Sequence, residues 1–171
     1  MVQQSPFIIS QLCPAERSAL RPLLQKSWAE TYVNELGKEI TTKMIETLTS
    51  EDIGGLVPNN DELVFIATQD NQIRGCAISA TRHGITYIWG FYVQAKFQRQ
   101  GIGRSLLHQI VSANDSTNTL QLIVLSSSVD AIKFYQASGF ATISKEVFEI
   151  VPGHMMPSIT MTAPISGFVL H

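Results

Sequence analysis

The sequence predicts an α/β fold, a mixed central sheet of about six to seven strands with helices on both faces. Three observations predict it. β-Branched and aromatic runs fill the first half of the chain, a glycine-bearing loop then opens into an amphipathic helix, and further strand-like runs follow that helix. Strands, a crossover helix and more strands imply parallel and antiparallel neighbours within one sheet.

The elements follow in order. Residues 7–12 read as a first strand, and Pro14 stands where a helix would begin. Residues 15–32 carry Leu20, Leu23, Leu24 and Trp28 on one side, with Pro22 as an interruption or a restart. A second helix is expected over 41–48. The stretch 50–61 (SEDIGGLVPNND) is rich in turn formers and predicts a surface loop. Residues 62–69 and 73–82 flank Asp70-Asn71-Gln72 as a hairpin, and His83-Gly84 turns the chain into the strand ITYIWGFYV, residues 85–93. Ile102, Leu106, Ile110 and Val111 then mark one apolar helix face, which fades near Ala113 and Asn114. Residues 120–125 (LQLIVL) are almost wholly apolar, the pattern of a strand buried on both faces. The next helix is expected over 128–138 with Gly139 as its stop. A closing hairpin runs through 147–151, the turn Pro152-Gly153-His154 and 159–161. No linker, repeat or low-complexity segment divides the chain, so one domain over 1–171 is expected.

Composition narrows the function. At 171 residues the chain can bury roughly two-thirds of its unfolded surface and needs neither disulfide nor metal for stability. Hydrophobic residues make up 44% and charged residues 15%, a globular balance. The net charge of −2 leaves no broad basic face for nucleic acid. Cys13 and Cys76 lack metal-ligand spacing and read as reduced structural thiols. The N-terminus MVQQSPFIIS has neither a basic start nor a long apolar run, and no stretch approaches the ~20 apolar residues of a membrane span. A cytoplasmic location is expected.

The most informative run is Gln98-Arg99-Gln100-Gly101-Ile102-Gly103-Arg104. Two glycines separated by one residue let the backbone turn tightly, and the first turn of the following helix adds unpaired N–H donors and the positive end of its dipole. Such a loop suits an anion, and a pyrophosphate best. Neither of two familiar phosphate loops fits. A P-loop needs four residues between its glycines and then Lys with Ser or Thr, and a dinucleotide fingerprint needs a small residue where Leu106 stands.

Gln98, Gly101 and Gly103 instead match Gln or Arg, two residues, Gly, one residue, Gly or Ala. Downstream, Tyr135 is followed by Gly139 and Phe140 within DAIKFYQASGF. On these two stretches the chain resembles the GNAT superfamily of acyl-CoA-dependent N-acetyltransferases, from about residue 5 to about residue 163.

The resemblance implies a sheet splayed at a cofactor cleft, with acetyl-CoA as co-substrate and no metal. The strand before the loop would part from the next parallel strand, and the amide-rich pantetheine arm would supply the missing ladder partner along Phe91, Tyr92 and Val93. The N–H near Val93 would hold the thioester oxygen as it becomes an oxyanion. Arg99, Gln100, Gly101, Ile102, Gly103 and Arg104 would grip the diphosphate. Relatives often carry Pro two residues after the strand's last Val, where this chain has Ala95, so the strand's bulge must form without it. Relatives also often carry Asn where this chain has Ser128, which could make a shorter version of that contact. Tyr135 is the expected general acid for the departing thiolate, since a thiolate in a dry cleft is a stronger base than in water.

The general base is open. A lysine-like amine with pKa near ~10.4 is neutral at pH 7 in about one molecule in 10³ to 10⁴, a cost of roughly 4–5 kcal/mol, whereas an α-amine near ~8 costs about 1.4 kcal/mol. The strands 85–93 and 120–125 hold no carboxylate, and some peptide-acetylating relatives have Glu where Ile123 stands. Glu146, Glu149, His83 and His154 remain, none assigned. Trp28, Tyr32 and Trp89 would line the acceptor pocket, suiting a partly apolar acceptor or a cation against a π face. The expected partner is a small-molecule or peptide amine, with no nucleic acid and no membrane, and a homodimer is left open. The alternatives are a non-catalytic acyl-CoA-binding sensor and a scaffold whose glycines only shape a turn.

Overall fold

The computed structural model describes residues 6–48 and 61–168. Within them lies a seven-stranded sheet of strand order β1-β2-β3-β4-β5-β7-β6. The strands are β1 (Ile8–Gln11), β2 (Glu62–Gln69), β3 (Gln72–Arg82), β4 (Ile85–Val93), β5 (Thr119–Leu125), β6 (Ala141–Val151) and β7 (His154–Pro164). The helices are α1 (Leu20–Leu36), α2 (Lys38–Glu46), α3 (Ile102–Ser112) and α4 (Val129–Ala137). The expected loop over 50–61 falls almost wholly outside the described residues.

All neighbouring strands pair antiparallel except β4 and β5, which the α3 crossover makes parallel. Asp70 and Asn71 both have positive φ, the signature of the tight turn whose twist matches a β2–β3 hairpin. Short polar side chains tolerate that region, so the hairpin was readable from sequence.

Two apolar layers sandwich the sheet. On one face Ile102, Leu106, Leu107 and Ile110 of α3 pack with Leu120, Leu122, Ile159 and Met161, and Phe134 and Tyr135 of α4 join them. On the other face Leu20, Leu23 and Leu24 of α1 cover Val64, Ile66, Cys76 and Ile78. Before α1, a 3₁₀ turn (Pro14–Ala19) carries Arg17, whose guanidinium meets Glu62 of β2 at 2.7 Å in a buried pair.

Several boundaries differ from the sequence reading. Pro22 neither breaks nor restarts α1, because it sits in the first turn where a missing N–H forfeits no helical bond. The helix runs past Tyr32 to Leu36, and α2 begins at Lys38 rather than residue 41. The closing hairpin is far longer than 147–151 with 159–161. Its outer strand β6 carries the polar run Ser144-Lys145-Glu146 and then Glu149 among apolar residues, and this edge polarity hides a strand from pattern reading.

Candidate active site

The site forms where β4 and β5 part. Their pairing covers Ile85 with Thr119, Thr86 with Leu120 and Tyr87 with Gln121, and then stops. Residues 88–93 of β4 continue without β5 as a neighbour, while β5 stays paired with β7 to Leu125. Because α3 follows β4 and α4 follows β5, both helices begin at the open ends of these strands. Their N-terminal amides flank the opening.

A bulge bends β4 at the opening. Cys76 pairs with Tyr92 and Ile78 with Trp89, so Gly90 and Phe91 together oppose Ala77. Gly90 has φ +63°, the left-handed conformation that a glycine bulge requires. The bulge is therefore made by glycine within the strand, without a proline at Ala95. Around it, Phe91 and Val93 pack toward the α3 side while Trp89 and Tyr92 pack toward α1.

The expected anion loop follows. Arg99 has φ +65°, and Gly101 is the N-cap of α3 at φ +90°. The first N–H to reach a carbonyl one turn back is that of Ser105, which donates to Gly101 at 3.0 Å. The amides of Ile102 and Gly103 precede it and have no such carbonyl, so they suit an anion. Gln98 folds back on the strand, its Nε2 donating to the Val93 carbonyl at 3.0 Å. Arg99, Gln100, Gly101 and Arg104 are exposed, whereas the Ile102 side chain is 1% exposed in the core and only its main chain can face a ligand. A Cβ on Gly103 would lie 3.3 Å from Phe134 and 3.7 Å from Phe91, so this glycine lets α3 approach both rings.

Tyr135 sits among aromatic rings, edge-on to Phe134 at 5.4 Å, Phe140 at 5.5 Å and Phe91 at 6.1 Å between centroids. Burial pushes its phenol well above the ordinary range, with neighbouring Tyr32 adding to the effect. Tyr32 and Tyr92 are likewise raised, chiefly by burial, and their hydroxyls hydrogen-bond each other. Trp28 meets Tyr92 edge-on at 6.2 Å. Its indole N–H lies beside the Tyr92 hydroxyl, yet it has no partner of good hydrogen-bond geometry. Trp28, Tyr32, Tyr92 and Tyr135 thus form one cluster at the opening. Trp89 shares the α1-facing side of β4 but lies on the other side of the bulge.

An acetyltransferase (GNAT) domain profile matches residues 29–152. The chain belongs to the GNAT acetyltransferase family. The ribosomal protein bS18-alanine N-acetyltransferase of Salmonella typhimurium is 32% identical over 103 residues, 58% of this chain and 69% of that protein. The Escherichia coli enzyme of the same name is 32% identical over 108 residues, 61% and 72% of the two chains. Among solved structures, the PaiA N-acetyltransferase of Thermoplasma acidophilum, in complex with coenzyme A, superposes with a TM-score of 0.72 over 92% of this chain and 98% of its own at 17% identity. The Escherichia coli S18-alanine enzyme gives 0.69 over 94% of both chains at 23% identity. The sequence-based family assignment and the mixed, splayed α/β fold therefore hold, and the chain is a member of a family of N-acetyltransferases.

Family membership leaves the individual residues to the geometry. Ser128 is the N-cap of α4, but its hydroxyl donates to Glu35 at 3.1 Å rather than capping the helix. Glu35 also accepts from the Ser127 hydroxyl at 2.9 Å, and Glu30 accepts from the Ala95 N–H at 3.1 Å. Sequence reading missed both carboxylates. It ended the first helix near Tyr32, one turn short of Glu35, although Trp28, Tyr32 and Glu35 recur at helical spacing and would have marked the stripe. Of the four open base candidates, His83 lies in the β3–β4 turn, at the end of the sheet away from the opening. Glu146 is exposed and accepts from Ser144 at 3.1 Å. Glu149 and His154 are near the tip of the β6–β7 hairpin. Among the described residues no group of three or more His, Cys, Asp or Glu could hold a metal, and no helix is long and apolar enough to cross a membrane.

Proposed function

We propose that this chain is an acetyl-CoA-dependent N-acetyltransferase that moves the acetyl group to a primary amine of a small molecule or peptide by direct attack, within one domain. The observation that carries this reading is the parting of β4 from β5 beside the amide-lined loop at residues 99–104, with Tyr135 in the same opening. A glycine N-cap, a left-handed residue two positions before it and the first turn of α3 fit a diphosphate. Arg99 and Arg104 add positive charge there, and Ser128 borders the opening.

Bound acetyl-CoA would supply an activated thioester carbonyl. The edge of β4 that β5 leaves, at Phe91, Tyr92 and Val93, would offer main-chain partners to an amide-bearing arm, apart from the Val93 carbonyl, which accepts from Gln98. Tyr135, its phenol kept protonated by burial, is suited to hand its proton to a departing thiolate. Trp28, Tyr32 and Trp89 would bound the acceptor. The names of the two bS18-alanine N-acetyltransferases, 32% identical to this chain, favour a peptide amine over a small-molecule amine. A cytoplasmic site of action accords with that substrate class.

Calorimetry with acetyl-CoA followed by thiol-release assays over amines and peptides tests the reading. Saturable binding with amine-dependent thiol release is expected. Binding without release would point to the sensor instead, and no binding at millimolar acetyl-CoA would leave neither.

A further inference from the structure

The α1 stripe facing the opening ends in a carboxylate with an unusual set of neighbours. Glu35 is half-buried, and its Oε2 accepts from Ser127 Oγ at 2.9 Å and Ser128 Oγ at 3.1 Å. These serines join the end of β5 to the start of α4, so Glu35 spans from α1 to the rim where β4 and β5 separate. Tyr32 lies one turn back on the same face and interacts with Glu35, Tyr92 and Tyr135.

Among the described residues no Lys, Arg or His pairs with Glu35. On α2, Lys43 is bonded to Glu39 at 3.1 Å and Lys38 is exposed. On α4, Asp130 and Lys133 are exposed. The remaining neighbours, Tyr32, Tyr92 and Tyr135, are phenols raised by burial and hence neutral. A carboxylate accepts about four hydrogen bonds, and two hydroxyls leave capacity for a cationic donor. Glu30, further back on α1, is committed to the Ala95 N–H at 3.1 Å, so Glu35 is the carboxylate that the site presents beside the Ser127–Ser128 rim, with neutral aromatic surfaces around it.

Resting on the acetyltransferase reading above, we propose that Glu35 receives the acceptor amine, binding it as an ammonium and taking one proton from it. The freed nitrogen lone pair forms the C–N bond at the thioester carbonyl as the C–S bond breaks. The sulfur takes the Tyr135 proton, and Tyr135 regains one from the new amide nitrogen. The proton on Glu35 leaves to solvent, which accounts for the single proton that amide formation from an ammonium releases. The acceptor class is a primary amine that is cationic at neutral pH, and α1 rather than β5 supplies the base. This agrees with an apolar residue, Ile123, on β5, which leaves that strand no acidic side chain.

The test compares the full chain with E35Q and E35D, using an alanine-initiated hexapeptide and putrescine as acceptors. A glutamine still accepts both serine bonds but holds no charge. Expected for E35Q are unchanged acetyl-CoA binding by calorimetry and a kcat/KM at pH 7 lowered on the order of 10²-fold. That deficit should shrink about tenfold per pH unit toward the amine pKa, where neutral amine no longer needs a base. E35D, which retains the charge one methylene back, should fall less and keep the wild-type pH profile; it also serves if E35Q does not fold. If E35Q stays within about twofold of wild type, or E35D loses as much as E35Q, Glu35 only ties α1 to α4 and the proposal is overturned while the enzyme reading stands. Acetyl-CoA binding with transfer to neither probe overturns the amine acceptor itself.

Discussion

Gly90 of β4 lies so close to Ile78 of the neighbouring strand β3 that a Cβ on Gly90 would come within 2.6 Å of Ile78 Cδ1. Ile78 is fully buried, and Gly90 has φ +63°. Gly90→Ala therefore meets backbone strain and an overpacked core together, and should lower stability by ~1–3 kcal/mol. It should also straighten β4 at the opening and weaken acetyl-CoA binding. Thermal denaturation and calorimetry measure the two effects separately.

The loop glycines should respond differently from each other. A Cβ on Gly101 meets nothing within 4 Å, so Gly101→Ala is penalised only through φ +90°, by about 1–2 kcal/mol, and in re-orienting the loop amides should reduce acetyl-CoA affinity at least about tenfold. Gly103→Ala brings a methyl to 3.3 Å from Phe134, a contact that a small ring shift relieves, and affinity should stay within a few-fold. Gly103→Leu cannot be relieved that way, and both stability and binding should be lost. Calorimetry across the three variants gives the ranking.

Tyr135→Phe removes one hydroxyl and leaves the ring contacts with Phe91, Phe134 and Phe140 in place. Turnover should fall on the order of 10²-fold while acetyl-CoA affinity and melting temperature hold. Burial raises the phenol pKa, so the protonated acid persists as pH rises, and Tyr135 should contribute no loss of kcat below pH 9. A steady-state pH profile of wild type and variant checks both statements.

How much of this was legible in sequence depended on how locally each feature is encoded. The tight loop before α3, the α3 stripe of Ile102, Leu106 and Ile110 and the turn expected at 70–72 are written in adjacent residues, and each formed there, the turn narrowed to Asp70-Asn71 with Gln72 opening β3. The family followed from the loop and the Tyr135-to-Phe140 segment alone. What sequence concealed was long-range. Glu35 meets Ser127 and Ser128 across more than ninety positions, and Gly90 looks like an ordinary strand residue until the Ile78 side chain is packed against it. The polar edge strand β6 was shortened because the run Ser144-Lys145-Glu146 resembles a loop, although one hydrogen-bonded side suffices for an edge.

The two cysteines should separate by reactivity. Cys13 is exposed, whereas Cys76 is buried and its thiol donates to the Gly90 carbonyl at 3.1 Å. Burial pushes the Cys76 pKa up to about 12, so iodoacetamide should label one site in the native protein and two after unfolding, read by intact mass. Because the folded thiol ionises at higher pH than the unfolded one, its contribution to stability is complete below ~8.5 and drains as pH rises toward the folded value. The stability advantage of wild type over Cys76→Ala should therefore shrink between pH 8 and pH 10.5.

The Arg17–Glu62 pair at 2.7 Å fastens the 3₁₀ turn before α1 to the start of β2, and through it sets where α1 lies on the sheet. Both side chains are almost wholly buried, at 5% and 2% exposure, so removing Arg17 takes from Glu62 the 2.7 Å ionic partner that offsets the cost of burying its charge. Arg17→Met alone should cost about 3–5 kcal/mol in urea denaturation. Replacing both, as Arg17→Met with Glu62→Leu, should recover most of that loss, because two apolar groups carry no desolvation penalty. Since α1 bears Trp28, Tyr32 and Glu35, the single variant should also raise KM for the acceptor amine more than for acetyl-CoA, and the double variant should restore it. A KM shift of equal size for both substrates would mean that the pair steadies the whole sheet rather than the helix over the acceptor.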